Sequence, residues 1–229
     1  MLENRENVIG DLENKLLAVS EEMKKVADQL SEKRKKNALF LSKAVEYELH
    51  ELMMPNARFS VYIEATEEFT KYGLEKVEFL FNANLGMELQ PLCKIASGGE
   101  ISRVNLAMKS ILYNIDPACA FVFDEIDVGI SGRAAQKTAE KLYGISSKNQ
   151  ILCVTHLPQI AAMADNHLLI LKDESKSETQ TTVHKIEGKS RTEEIARIIS
   201  GVSVTELTIK NAEETLKLAE DFKKEKRIK

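Results

Sequence analysis

The sequence predicts an α/β domain, a mostly parallel sheet flanked by helices, that carries an N-terminal coiled-coil arm segment. Three observations predict it. The first thirty residues hold apolar side chains in a strict 3-4-3-4 alternation. Two short apolar runs, Ala118–Phe123 and Ile151–Val154, read as strands of a parallel sheet buried on both faces. Helical patterns lie between and around those runs.

The arm comes first. Ile9, Leu12, Leu16, Val19, Met23, Val26 and Leu30 form a heptad seam, with Glu, Lys, Asn and Gln filling the positions between. An ordinary amphipathic helix lying on a core would show a wider stripe. From Leu39 to Met54 the stripe does widen, as expected where a helix docks on a domain, and Pro55-Asn56-Ala57 breaks it. The expected division is an arm at 1–50, returning toward the domain, and a globular part at 51–229.

Phe59–Ala65 and Lys76–Asn84 alternate apolar and polar positions and predict a half-exposed antiparallel pair. Lys71-Tyr72-Gly73 between them predicts a hairpin loop longer than two residues. Beyond residue 90 the expected helices are Glu100–Tyr113, Arg133–Tyr143, Gln159–Ala164, Thr192–Ile199 and Thr205 to the tail. Leu168–Leu171 and Thr181–Ile186 are the expected later strands.

Composition narrows the function classes. The chain has 229 residues, 43% hydrophobic and 30% charged, and its net charge is only −4, which argues against a uniformly basic coat for nucleic acid. Contact with DNA would fall to local runs such as Lys33–Lys36 or Lys223–Arg227, each of which also reads as a solvated helix face or a frayed end. Cys93, Cys119 and Cys153 make no C-x-x-C pair, and the latter two sit in apolar runs as small hydrophobes, which suggests a reducing compartment. No apolar stretch approaches the ~20 residues that span a bilayer, and no signal peptide opens the chain. The expectation is a cytoplasmic protein with no membrane partner.

Chemistry concentrates at three points. Phe121-Val122-Phe123 ends in Asp124-Glu125, and adjacent carboxylates at the C-terminal edge of a parallel strand lie where ligands bind in open α/β folds. In nucleotide hydrolases the first such carboxylate holds the Mg2+ shell and the second polarises the attacking water. Strands ending in Asp-Glu also occur at ordinary turns. Ser97-Gly98-Gly99-Glu100, ending 24 positions before Asp124, runs straight into a helical pattern. Ser97 suits the helix N-cap, and the glycines let a phosphate approach the free N–H groups at the helix start. His156 ends the apolar run Ile151–Val154, 31 positions after Glu125. Alone it would read as structural, but beside two carboxylates it reads as a γ-phosphate sensor.

Taken together, SGGE, a hydrophobic strand ending in Asp-Glu, and Thr155-His156 resemble the ABC ATPase family, in its branch with coiled-coil arms that includes the SMC and Rad50 proteins. The wording of Lys94–Arg103, Phe123–Arg133 and Thr155–Asp165, with Ile198-Ile199-Ser200-Gly201, is similar to a bacterial DNA-repair member of that branch. The resemblance implies the C-terminal lobe of an ATPase head that acts in double-strand break repair and recombination, in a bacterial, nucleoid-associated setting. It implies Ser97, Gly98, Gly99 and Glu100 as the signature loop on ATP held by a second head, Asp124 as the Mg2+ carboxylate acting through water, and Glu125 as the catalytic base. Asp127 would belong to the loop linking the two sites, and His156 would be the switch histidine. The implied partners are the N-terminal half of the same head, a second head in a homodimer, and DNA.

One element is absent from the sequence. A phosphate-binding loop needs G-x-x-x-x-G-K-[ST], and the single Gly-Lys-Ser, Gly188-Lys189-Ser190, has Val183 where the first glycine belongs. ATP and Mg2+ are therefore expected only with the missing half-head, and this chain alone is expected not to hydrolyse ATP. Another SMC- or Rad50-like ATPase, or a coiled-coil scaffold with a degenerate head, are the alternatives. G-x-S-x-G is absent, and His50-Glu51 lacks the second histidine of a zinc protease, since Met54 stands there.

Overall fold

The computed structural model describes residues 2–115, 118, 120–173, 180–201 and 203–228, with backbone alone at 2–6, 173, 227 and 228. Cys119 and the Arg227 side chain, singled out in the sequence, lie outside the described residues. The chain divides into two compact units: residues 1–47 with 56–95, and residues 48–55 with 96–229.

In the first unit, helix α1 (Leu2–Glu51, its last turn belonging to the second unit) runs unbroken through the heptad region. The seam side chains Ile9, Leu12, Leu16, Val19, Met23, Val26 and Leu30 are exposed. Strands β1 (Arg58–Thr70) and β2 (Gly73–Asn82) pair antiparallel, and β3 (Gln90–Pro91) adds a short third strand to β2. The hairpin turn is shorter than expected. Thr70 pairs with Gly73, leaving Lys71-Tyr72 as a two-residue turn, and the surplus residues sit in β1, where the register jumps between Ala65 and Thr70. A bulge absorbs extra length inside a strand while the turn stays tight. Gly73 takes the left-handed φ of +100° that this turn requires.

The free edge of β1 is satisfied by α1. The Phe59 N–H donates to Glu46 Oε1 at 3.0 Å and the Val61 N–H to Ser42 Oγ at 3.1 Å, from residues one helical turn apart. Nearer the tip, Glu75 is buried beside Arg34 (3.6 Å) and accepts a hydrogen bond from Ser31. Val19, Met23, Val26, Leu30, Phe69 and Tyr72 wall an apolar groove of about 540 Å³ there.

In the second unit the parallel sheet is present as β4 (Ala120–Phe123) and β5 (Gln150–Cys153), while β6 (His167–Asp173) and β7 (Gln180–Ile186) pair antiparallel. Helices α2 (Gly98–Leu112), α3 (Gly132–Ser146), α4 (Pro158–Met163), α5 (Gly188–Ser200) and α6 (Glu206–Ile228) complete the unit. Ala135, Thr138, Ala139, Leu142 and Ile145 give α3 its buried stripe at helical spacing. The expectation of strands buried on both faces fails. Phe121 and Phe123 are buried, but Val122 (72%), Leu152 (45%) and Val154 (55%) are exposed, because no described element covers that face.

The C-terminal end of α4 is held by cations, which satisfy its orphan carbonyls. Arg191 Nη2 donates to the carbonyls of Ala161, Ala162 and Ala164 (3.2, 3.0 and 2.7 Å). Lys223 Nζ reaches the Ala164 carbonyl and Asp165. Among the described residues, no helix is long and apolar enough to cross a membrane.

Candidate functional site

All eight candidate site residues, Ser97, Gly98, Gly99, Glu100, Asp124, Glu125, Asp127 and His156, fall in the second unit. Ser97 caps α2: its Oγ accepts from the Glu100 N–H at 3.4 Å, leaving Gly98 and Gly99 as the first helical residues. A helix start of this kind presents unpaired N–H groups and a positive dipole end, suited to an anion.

Strand β4 delivers Asp124 and Glu125 to an exposed loop at its C-terminal end. The Glu125 N–H donates to Asp124 Oδ1 at 2.9 Å, and Glu125 has φ +57°, a left-handed conformation that costs a non-glycine residue on the order of 1 kcal/mol or more. The two glycines of α2 face this loop. A Cβ on Gly98 would collide with Glu125 Oε2, and one on Gly99 would lie 2.7 Å from the Val128 carbonyl oxygen. The loop is tied to the helix at both ends: Ser102 Oγ donates to the Asp124 carbonyl at 2.8 Å, and Arg103 Nη1 to the Val128 carbonyl at 2.9 Å.

Asp127 turns inward and is 3% exposed. Its Oδ2 accepts from Thr155 Oγ1 at 2.6 Å and from the His156 N–H at 2.8 Å, with His156 Nδ1 3.1 Å away. The Thr155 hydroxyl also accepts from the Leu157 N–H at 3.0 Å. The His156 ring itself stays 73% exposed, so one edge is held and the other is open to solvent. Cys153, the last residue of β5 and paired with Phe123, has its thiol pushed up to about 12 by burial and by the neighbouring Asp127 and Asp124.

ATP and Mg2+ can be tested against these groups. Among the described residues, no group of three or more His, Cys, Asp or Glu could hold a metal ion. Two exposed carboxylates fit Mg2+ nonetheless, since that ion keeps most of its waters and takes one or two carboxylates together with substrate phosphates. The open helix start fits a phosphate, while a lysine-bearing phosphate loop is absent from the sequence. The residues therefore fit one side of a nucleotide.

No protein-family model matches the chain. It is 41% identical over 224 residues to the DNA repair protein RecN of Halalkalibacterium halodurans, covering 96% of this chain and 40% of that protein. Over nearly its whole length the chain is similar to RecN proteins. RecN of Bacillus subtilis is 38% identical over 237 residues, 97% of this chain and 41% of that protein. The chain thus spans about two fifths of the length of these RecN relatives. The fold is that of an Smc head: the Smc head domain with a coiled coil and joint from Pyrococcus yayanosii matches with a TM-score of 0.52 at 18% identity, over 74% of this chain and 32% of that one.

Within the second unit the structure brings Ser97, Gly98 and Gly99 against the loop of Asp124 and Glu125, and separately ties Asp127 to His156. Glu100 enters through its backbone, as the donor to Ser97. Ser102, Arg103 and Thr155 join the site through tertiary contacts that their sequence positions do not announce. A signal for Arg103 was nonetheless available: it follows Gly99 by one helical turn, a charged residue on the buried stripe of α2.

Proposed function

We propose that this chain supplies the signature-loop side of a RecN-type ATPase head acting in DNA double-strand break repair, with residues 1–50 as the returning arm segment and 51–229 as the C-terminal half-head. Ser97, Gly98, Gly99 and Glu100 meet the γ-phosphate of ATP held by a second head. Asp124 takes the Mg2+ shell through water, Glu125 orients the attacking water, and His156 contacts the γ-phosphate. Asp127 holds His156 in place from within the same chain. The partners are the N-terminal half of the head, a second head and DNA.

One observation carries the reading: the helix start at Ser97 and the carboxylates Asp124 and Glu125 are tied into one body, with the Asp127-held His156 beside it. That arrangement presents an anion site, a metal carboxylate and a base to a ligand whose phosphates are gripped elsewhere. The 37–41% identity to RecN proteins supports it.

The test mixes this chain with the complementary half carrying the phosphate loop and measures DNA-stimulated ATP hydrolysis. Turnover is expected only in the mixture, and Glu125→Gln or Ser97→Arg should abolish it, the latter without loss of folding. Hydrolysis by the isolated chain that disappears in Glu125→Gln would overturn the half-site reading.

A further inference from the structure

Arg103 is the one strongly basic side chain on the buried face of α2, at 6% exposure. Burying a guanidinium costs several kcal/mol of hydration, and burial here lowers its pKa from the ordinary value, with only Glu100 opposing. The Nε atom is buried without a hydrogen-bond partner. A leucine or methionine would fill the same volume more cheaply. The compensation lies at Nη1, which donates to the Val128 carbonyl at 2.9 Å.

The surroundings are shaped around that bond. A Cβ on Gly99 would come 2.7 Å from the Val128 oxygen and 3.2 Å from Arg103 Nη1, so the absence of a side chain at 99 is what lets donor and acceptor meet. The neighbouring Ser102 hydroxyl grips the start of the same loop, at the Asp124 carbonyl. Two consecutive helix residues thus hold both ends of the segment 124–128.

We propose that Arg103 is a positioning residue that locks the Asp124–Val128 loop to the first turn of α2, so that the Ser97–Gly99 helix start and the Asp124/Glu125 carboxylates move as one body. Gly99 is required for this clamp within the chain, in addition to any ligand it meets. The role assigned to the clamp rests on the reading of the site as nucleotide-binding, but the clamp itself is measurable without nucleotide.

Amide hydrogen exchange by NMR on the 229-residue chain tests it. Three backbone donors report separately: the Ile101 N–H, bonded to the Ser97 carbonyl in α2 (3.1 Å); the Val128 N–H, bonded to the Glu125 carbonyl in the loop (3.2 Å); and the Val154 N–H, bonded to the Phe123 carbonyl at the sheet (3.0 Å). In the parent chain Ile101 and Val128 are expected to exchange at a common rate, as one opening unit. Arg103→Met should accelerate Val128 at least ~tenfold relative to Ile101 and leave Val154 unchanged. Arg103→Lys, which keeps a cationic donor, should recover most of the difference. The proposal is overturned if Val128 is unaffected in Arg103→Met, if all three amides accelerate together, or if the lysine variant behaves like methionine. Absence of ATP hydrolysis in the reconstituted head would instead overturn the functional reading and leave the clamp standing.

Discussion

Asp127 holds His156 at two points: Oδ2 accepts from the His156 backbone N–H at 2.8 Å and lies 3.1 Å from Nδ1 of the ring. A carboxylate acceptor at Nδ1 selects the tautomer with hydrogen on that nitrogen, leaving Nε2 as the outward acceptor in the neutral ring. The histidine is thereby held from behind, and its other edge faces solvent.

Replacing Asp127 with alanine should release that constraint. The ring ¹⁵N shifts are expected to show the Nδ1–H tautomer in the parent chain and a move toward Nε2–H in Asp127→Ala. Loss of a buried charged acceptor for two donors should also cost ~2–3 kcal/mol, read as a lower urea midpoint. Thr155→Val, which removes one of those donors, should weaken folding by less. An unchanged tautomer in Asp127→Ala would remove the case for a positioning role.

Gly98 and Gly99 look alike in sequence, yet the structure separates them. The obstacle to a methyl at 98 is the end of the flexible Glu125 side chain, whereas at 99 it is the Val128 backbone. Gly98→Ala should therefore displace Glu125 with little loss of stability, and Gly99→Ala should destabilise by ~1–3 kcal/mol as an overpacked site. Urea unfolding of both variants checks the order, and equal midpoints would contradict it.

Much of this was legible in the sequence, for reasons that differ by element. The periods of α1, α2 and α3 and the antiparallel pairing of β1 with β2 follow from residue spacing alone, because packing one face fixes the pattern. The positions of Ser97, Asp124, Glu125 and His156 at element ends were readable for the same reason. The hairpin turn was not, since the choice between a long loop and a bulge with a tight turn depends on register, which Thr70–Gly73 reveals only in the folded strand pair. Val122 and Leu152 are exposed against expectation because an apolar run reports a capacity for burial, and what covers it is decided elsewhere. Asp127 is placed in the loop linking the two sites by resemblance alone; that it points inward to Thr155 is a tertiary fact.

Cys153 and Cys93 should differ sharply toward alkylating reagents. Cys93 is exposed, while burial and two carboxylates push the Cys153 thiol up to about 12. At pH 8 a thiol of that pKa is ionised on the order of 10⁻⁴ of the time, against about a quarter for an ordinary one. N-ethylmaleimide should label Cys93 at least ~100-fold faster than Cys153 in the folded chain, with the gap closing in urea. The folded state keeps a proton that the unfolded state loses above pH ~8.5, so this group's contribution to stability falls as pH rises from there toward 12. Rapid native labelling of Cys153, located by peptide mapping, would contradict this.

His167 carries the opposite sign. Burial, then the Arg191 charge, lowers its pKa, and its Nδ1 is buried without a hydrogen-bond partner. The neutral ring is favoured in the folded state, so its contribution to stability is present above pH ~6.5 and is lost as pH falls through the depressed folded value. Urea midpoints measured from pH 7.5 to 5 should decline more steeply in the parent chain than in His167→Gln. Parallel curves would show that this histidine does not drive the acid loss.

The exposed seam of α1 leads to the final expectation. Seven apolar side chains at heptad spacing face solvent on one helix, beside a groove walled by Phe69 and Tyr72. Burying each such side chain against a second helix is favourable by ~1–3 kcal/mol, enough in sum to exceed the entropy of association. The chain on its own should therefore self-associate through this stripe, with a sedimentation coefficient that rises with concentration. Leu16→Glu or Val26→Glu, each placing a charge in the seam, should weaken that association at least ~tenfold, whereas Lys24→Ala, off the seam, should leave it unchanged. A concentration-independent monomer that retains full helical circular dichroism would mean that α1 is stable without a partner helix, and the reading of its stripe as a coiled-coil interface would fall.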